Sequence, residues 1–128
     1  MDAKTLQARL EISRSFSYAI GHLTFRCRLV SHVQAIGILE RNRESSTEAA
    51  RALLVPCVLG VKGATTEDVG LEGESEPIED APQSVSMLLD ARPDLVMVLA
   101  DEITTRTKAR RDAIEADVKN SLSESATT

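Results

Sequence analysis

The first clear pattern along the chain is an alternation of apolar and polar positions in "HLTFRCRLV", where every second residue from Leu23 to Leu29 is apolar. A period of two is typical of a strand with one buried face. Gly21, directly before this strand, favours a hairpin turn to a preceding strand that ends near Ser17. We therefore expect a short N-terminal strand or hairpin, whose backbone needs a partner from this chain or from another copy.

Longer spacings follow and predict two helices. Beyond Ser31, the positions of Val33, Ile36 and Leu39 fit a helix of about three turns. "SSTE" predicts a capping box at the start of the next helix, with Ser45 as the N-cap and Glu48 three residues later. The apolar stripe of that helix contains Ala49, Leu53, Leu54, Cys57 and Val58, and Pro56 bends or ends its last turn.

A glycine-rich acidic segment interrupts these patterns at residues 60–81. It contains four glycines, one proline, seven acidic residues and one lysine. A stretch of this length without apolar periodicity predicts a flexible loop within the domain. Two interpretations stay open, a mobile connector and a segment that orders on a partner.

Residues 82–103, "PQSVSMLLDARPDLVMVLADEI", carry two helical patterns that meet at a proline. Pro82 suits the first turn of a short helix, because a residue there needs no amide donor. Pro93 disfavours helical geometry at Arg92, so it ends the first helix and begins a second. We therefore expect a Pro-bent helix pair, whose apolar stripes contain Val85, Leu88, Leu89, Leu95 and Leu99.

The second helix of this pair is expected to continue to about Lys119, which is roughly 40 Å at about 1.5 Å per residue. Beyond Ile103, only Ile114 and Val118 continue its apolar stripe. So sparse a stripe fits either a solvent-exposed strut or an interface that a partner covers.

These elements predict a mainly α fold of the α+β class: a small helical domain with a short N-terminal strand or hairpin, a long acidic loop and a Pro-bent C-terminal helix pair. Residues 1–120 are expected to form a single domain, since 128 residues suffice for one core. The polar residues 121–128 are expected to form a disordered tail. Residues 1–14 fit either a first helix or a frayed end.

Charge and cysteine content narrow the classes of partner. Twenty acidic and fifteen basic residues give a formal net charge of −5, which disfavours nucleic acid and anionic membrane surfaces. We expect no membrane span, because no apolar run reaches the required length of about 18 residues. We also expect no export signal, and the two cysteines, Cys27 and Cys57, fit buried thiols in a reducing cytosol.

No residue spacing indicates catalysis or metal binding. His22 and His32 have no cysteine or carboxylate at ligand spacing beside them. A nucleophilic pair of Cys27 or Cys57 with either histidine lacks a local signature, and the alternation directs Cys27 toward the core. We therefore expect a protein that is not an enzyme, with no catalytic residue, metal site or cofactor.

The C-terminal half carries a recognisable order of features: a loop that ends in a proline, a short helix with a Val-x-x-Leu-Leu core, a proline that restarts a helix, and a charged stretch closing in Lys-Asn. They read "EPIEDAPQSVSMLLDARPDLVMVLADEI", from Glu76, and then "VKNS", and the likeness covers about forty-five residues, 77 to 121. In these features the chain resembles the tail assembly chaperones of long-tailed, siphovirus-type bacteriophages. A vaguer likeness lies in "TFRCRLVS".

The resemblance implies a non-enzymatic function in viral tail morphogenesis. Such a chaperone binds the phage tape measure protein in the host cell cytoplasm, keeps it soluble, helps to recruit tail tube subunits, and is not retained in the mature virion. The candidate contact residues for a helical partner are Val85, Leu88, Leu89, Leu95 and Leu99, and the alternative interpretation places the same five in the core.

Two other classes stay open. A structural virion component, such as a head-tail completion protein, predicts ring assembly and retention in the particle. A small helical regulatory or adaptor protein is the third class; as a DNA-binding helix-turn-helix it would bring Asp94, Asp101 and Glu102 to the phosphates, where their charge is repelled. Self-association of copies through the strand is also left open.

Overall fold

The computed structural model describes the backbone of residues 1–127 and the side chains of residues 1–119. Within this part the chain folds into five helices and a three-stranded sheet, which confirms the predicted mainly helical α+β class. In chain order the elements are α1 (Ala3–Arg14), β1 (Ser15–Ile20), β2 (Leu23–Arg28), α2 (His32–Arg41), α3 (Ser46–Cys57), β3 (Val58–Lys62), α4 (Pro82–Ala91) and α5 (Pro93–Thr127). The helical backbone of α5 runs to Thr127, beyond the predicted end near Lys119 and into the predicted disordered tail at 121–128, whose side chains lie outside the described part.

The sheet is antiparallel, with β2 between β1 and β3. Gly21 has φ of 60° and begins the turn from β1 to β2, while His22 has negative φ. A type II′ hairpin turn has positive φ at the first of its two central residues and not at the second, as this turn does. β1 extends to Ile20, beyond the predicted end near Ser17. The inward residues of β2 are buried, as the alternation predicts.

β3 corrects the predicted start of the acidic loop, because residues 60–62 belong to this strand. The strand follows α3 without a turn: Pro56 lies in the last turn of α3, and Val58 already has extended geometry. A five-residue strand that contains Gly60 and has no turn signal before it offers little pattern to read. The rest of the loop folds back on itself, since the amide of Ile78 donates to the carbonyl of Ala64 over 2.9 Å.

The helix starts follow their local signals. Ser45 Oγ accepts a hydrogen bond from the Glu48 amide at 3.3 Å, as predicted, but the Ser45 amide donates to the Asn42 carbonyl at 3.2 Å. Half of the predicted capping box therefore forms. Pro82 and Pro93 each stand at the first position of a helix, and Arg92 between them has non-helical φ and ψ of −126° and 73°. The predicted Pro-bent pair is present.

The core lies between the inner face of the sheet and helices α3, α4 and α5, and α2 packs at its margin against α3. This position changes which face of α2 is buried. Ala35 and Ile38 enter the core, whereas Val33, Ile36 and Leu39, the predicted stripe, are 80%, 40% and 45% exposed. Since α3 alone covers α2 closely, much of the helix surface, including Val33, stays outside the core. Within the described chain, no helix combines the length and hydrophobicity required to cross a membrane.

Candidate functional site

The five predicted contact residues, Val85, Leu88, Leu89, Leu95 and Leu99, all lie in the core, each at most 3% exposed. Val85, Leu88 and Leu89 lie on α4, which packs against β3 and α5. Leu95 and Leu99 lie on α5, which packs against α3 and α4, so a partner has no access to any of the five in this fold. The placement corrects the predicted contact surface and agrees with the alternative interpretation of these residues as core. A binding surface has to be found among the apolar side chains that the fold leaves outside.

Such a surface exists where α1, α2 and α5 meet. One cavity of about 300 Å³ lies between α1, the end of β2 and α5, and a second of about 220 Å³ lies between α2, α3 and α5. His32, Thr107 and Arg111 line both, so the two cavities lie side by side, and together they are called the groove. The apolar lining residues of this groove are Leu10, Leu29, Val30, Ala35, Ile36, Leu39, Leu53 and Ile114.

The rim of the groove is basic. Arg14, Lys108, Arg110 and Arg111 line it, and Glu115 is the one acidic residue among its lining residues. Arg110 donates to the backbone carbonyl and the hydroxyl of Ser13 at 3.0 and 3.1 Å, which holds α1 against α5. An apolar floor with a positive rim favours a ligand that is apolar on one side and carries carboxylates beside it.

Arg111 is the least satisfied polar group of the groove. Its Nε is buried and has no hydrogen-bond partner among the described residues, and its only ion pair, with the neighbouring Asp112, has a long N–O distance of 3.5 Å. A buried donor without an acceptor costs about 1–3 kcal/mol. Nε itself is out of a partner's reach in this conformation, but the Arg111 side chain is 38% exposed as a whole, so its outer nitrogens can meet an acceptor that a partner places in the groove.

Past the core, the described side chains of α5 are mostly exposed. Ile103 is the last buried residue among those up to Lys119, and Ile114 and Val118 are 56% and 53% exposed. These two residues stand four apart and therefore lie on one face of the helix. The apolar face of α5 continues past the core and out along the groove.

Other side chains considered from the sequence form no reactive arrangement. His22 Nε2 and Asp68 Oδ1 are 2.8 Å apart, and the Thr65 amide also donates to the Asp68 carboxylate. Partial burial acts to raise the pKa of Asp68, but the hydrogen bonds from His22 and Thr65 outweigh it and lower the pKa. The pair ties the acidic loop to the hairpin turn. Among the described residues, no three His, Cys, Asp or Glu side chains are grouped so that they could hold a metal ion.

The two cysteines are buried free thiols. Burial, reinforced by Cys57 nearby, raises the pKa of Cys27 to about 11, and burial likewise raises the pKa of Cys57 to about 11. The thiolate is the nucleophilic form of cysteine, so both side chains are protonated and unreactive at neutral pH.

We expect neither thiol of the native protein to react with Ellman's reagent at pH 7.5 on the time scale of a free thiol, and both to react in denaturant. The absorbance of the released thionitrobenzoate measures this. A Ser75→Cys variant is the control, because Ser75 is exposed in the acidic loop and its replacement should react at once. Rapid native reaction of one equivalent in the unmodified chain would contradict the buried placement.

Sequence patterns missed the groove because its lining residues come from separated segments of the chain. The signal that could have found it is the thread of Ile114 and Val118, which was compatible with either a strut or an interface. Ile36 and Leu39, whose spacing predicted only a helix, also belong to the groove. Comparison of the chain with models of protein families, with curated proteins and with solved structures finds no match in any of the three.

Proposed function

We propose that this chain is a non-enzymatic binding protein whose basic-rimmed groove holds one amphipathic helix of a partner protein. The observation that carries the proposal is the pair of adjacent cavities that α1, α2 and α5 line, with exposed Ile36, Leu39 and Ile114 along them. Exposed apolar surface in one contiguous patch lowers the solubility of a domain, so such a patch marks an interaction site.

The groove specifies the occupant by shape and charge. Helices bind in apolar grooves through residues at i, i+3, i+4 and i+7, which place one apolar stripe against the floor. Acidic residues on either side of that stripe would meet Arg14 and Lys108 on the rim, and a carboxylate or a side-chain oxygen could accept from the exposed part of the Arg111 guanidinium. The occupant is thus an amphipathic helix with acidic flanks.

Within this class, the resemblance of residues 77 to 121 to tail assembly chaperones supports a specific partner. The proposed occupant is a helical segment of a phage tape measure protein, whose apolar stripe the chain would cover in the host cell cytoplasm until tail tube subunits arrive. The formal net charge of −5 favours this role, because it keeps a complex with an apolar protein dispersed. On this proposal the chain leaves before the virion is complete.

Replacement of Ile114 by Asp is expected to weaken binding of the partner strongly. The substitution puts a charge on the apolar face of the groove without entering the core, so the fold is kept while binding weakens by about 2 kcal/mol, roughly thirtyfold. The measurement is the soluble fraction of the tape measure protein encoded by the same phage genome, co-expressed with each variant. The unmodified chain should keep the partner soluble and Ile114→Asp should not.

Val55→Asp is the matched control. Val55 is also an exposed aliphatic residue on a helix, but it lies beside α4 and outside the groove. This variant should protect the tape measure protein as well as the unmodified chain does. Equal behaviour of the two variants would refute the groove as the binding site. Mass spectrometry of purified virions decides the remaining alternative, since retention of the chain in the particle would favour a structural virion component.

A further inference from the structure

The outer edge of β1 is an open hydrogen-bonding surface. β1 and β2 pair with Ile20 opposite Leu23 across a two-residue turn, and the Leu29 amide donates to the Arg14 carbonyl at 2.9 Å. Hydrogen-bonded pairs alternate along an antiparallel ladder, so Phe16, Tyr18 and Ile20 direct their peptide groups toward β2. The peptide groups of the intervening residues, Ser15, Ser17 and Ala19, point away from β2, toward the open edge of the sheet.

Those outward groups have few partners. The Ser15 amide bonds to the Ile12 carbonyl at the end of α1, but no protein group among the described residues bonds to the backbone of Ser17 or Ala19 on the outer edge. Unpaired peptide groups in a row are a template for another strand. The opposite edge strand, β3, differs because α4 packs against it and its last residue is Lys62.

β1 also lacks the features that prevent pairing at sheet edges. Its sequence, SFSYAI, contains no charge and no proline, and its register with β2 continues without a bulge. Ser15, Ser17 and Ala19, whose side chains lie on the exposed face of the sheet, are small residues. Edge strands that stay unpaired usually carry lysine, proline or a bulge. None of these three features occurs along β1, which indicates an edge that pairs with another strand.

We propose that two copies of this chain form a dimer by antiparallel pairing of β1 with β1, with the twofold axis at Ser17. In this register Ser17 lies opposite Ser17 of the second copy, and Ser15 lies opposite Ala19. The Ser17 pair exchanges both of its hydrogen bonds, and each Ala19 amide donates to a Ser15 carbonyl across the axis. The two sheets become one continuous sheet.

Side chains make this register self-complementary. The same twofold places Phe16 opposite Tyr18 of the second copy, at a position without hydrogen bonds, where side chains come closest. Both residues are only partly buried on the inner face of the sheet, and a second strand would cover their exposed side. An aromatic cross-strand pair of this kind stabilises antiparallel sheets. A second copy therefore fits this edge better than a strand of unrelated sequence.

Helix α1 supplies an independent indication that cover is missing near β1. It has twelve residues, and none of them is buried within one copy. Helices this short depend on packing for their stability. Antiparallel pairing brings the end of α1, which directly precedes β1, beside the hairpin turn of the second copy and so adds contacts there.

The test is the mass of the purified chain in solution, measured by light scattering after size exclusion across a wide concentration range. The unmodified chain should approach twice 13.9 kDa. Ser17→Pro removes the central outward amide without breaking a bond to β2, so its mass should fall to that of one chain. Ser17→Thr keeps the amide and should stay dimeric. Unchanged helical circular dichroism of Ser17→Pro verifies that the monomer is folded.

A cross-linking experiment locates the axis directly. Ser17→Cys places two thiols opposite each other at the twofold, within reach of a disulfide, whereas Ser75→Cys exposes its thiol in the acidic loop far from β1. Mild oxidation should link the first variant into dimers many times faster than the second. A monomeric unmodified chain at all concentrations, a dimer that survives Ser17→Pro, or equal cross-linking of the two cysteine variants would each overturn the proposal.

Discussion

Replacement of Leu88 by Asp should unfold this domain. Leu88 is 1% exposed, on the face of α4 that meets the core. The substitution removes a buried aliphatic side chain and leaves an ionisable group without a partner, at a total cost of the order of 5 kcal/mol. A cost of that size equals much of the stability of an ordinary domain. Thermal unfolding followed by circular dichroism should show a lost or strongly lowered transition.

Met87→Asp provides the comparison, because Met87 is the neighbouring residue on α4 and is 58% exposed. Its replacement should change the free energy of unfolding by less than about 1 kcal/mol, as expected for a surface position. The pair separates a core residue from a contact residue. A folded Leu88→Asp protein with an unchanged transition would mean that α4 presents Leu88 to solvent or to a partner.

Replacement of Gly63 by Ala should destabilise the domain by roughly 3 kcal/mol. Gly63 has φ of 84°, in the region that side chains disfavour, and a Cβ at this position would collide with the backbone carbonyl of His22. The conformational penalty is about 1–2 kcal/mol, and displacing packed backbone adds about 1–3 kcal/mol. Denaturant unfolding with linear extrapolation measures the sum.

Gly70→Ala isolates the collision from the conformation. Gly70 has nearly the same φ, 82°, but a Cβ there meets open space. Its replacement should cost only about 1 kcal/mol, since the lower entropy of the unfolded alanine chain offsets part of the strain. If the two variants lose equal stability, the close approach between the start of the acidic loop and the hairpin turn is absent in solution.

The approach at Gly63 shows what kind of feature the sequence leaves hidden. Four glycines in one acidic segment indicate a loop, and nothing in their spacing distinguishes the one that touches His22 from the one that faces solvent. The neighbour of Gly63 lies about forty positions earlier in the chain. Only the folded backbone brings the two together.

For a related reason, the sequence indicated the buried face of β2 but not that of α2. The alternation in β2 predicted its buried side correctly. A strand has only two faces, and the apolar residues, with Phe25 among them, all lie on one of them. On α2 the spacing of Val33, Ile36 and Leu39 indicated a helix, but the residues that the fold buries are Ala35 and Ile38. Which stripe of a helix is buried depends on the element beside it, and α2 meets little more than α3.

The sequence by itself determined the parts of this protein that depend on local geometry: the turn at Gly21, the cap at Ser45, and the helix starts at Pro82 and Pro93. Each results from steric or hydrogen-bonding constraints within a few residues, so neighbours along the chain suffice to predict it. The tertiary structure alone decided that the Val-x-x-Leu-Leu stripe of α4 is core, that a groove opens between α1, α2 and α5, and that β1 has a free edge. Whether a residue is exposed depends on which other elements pack against it, and here those elements lie far away in the sequence.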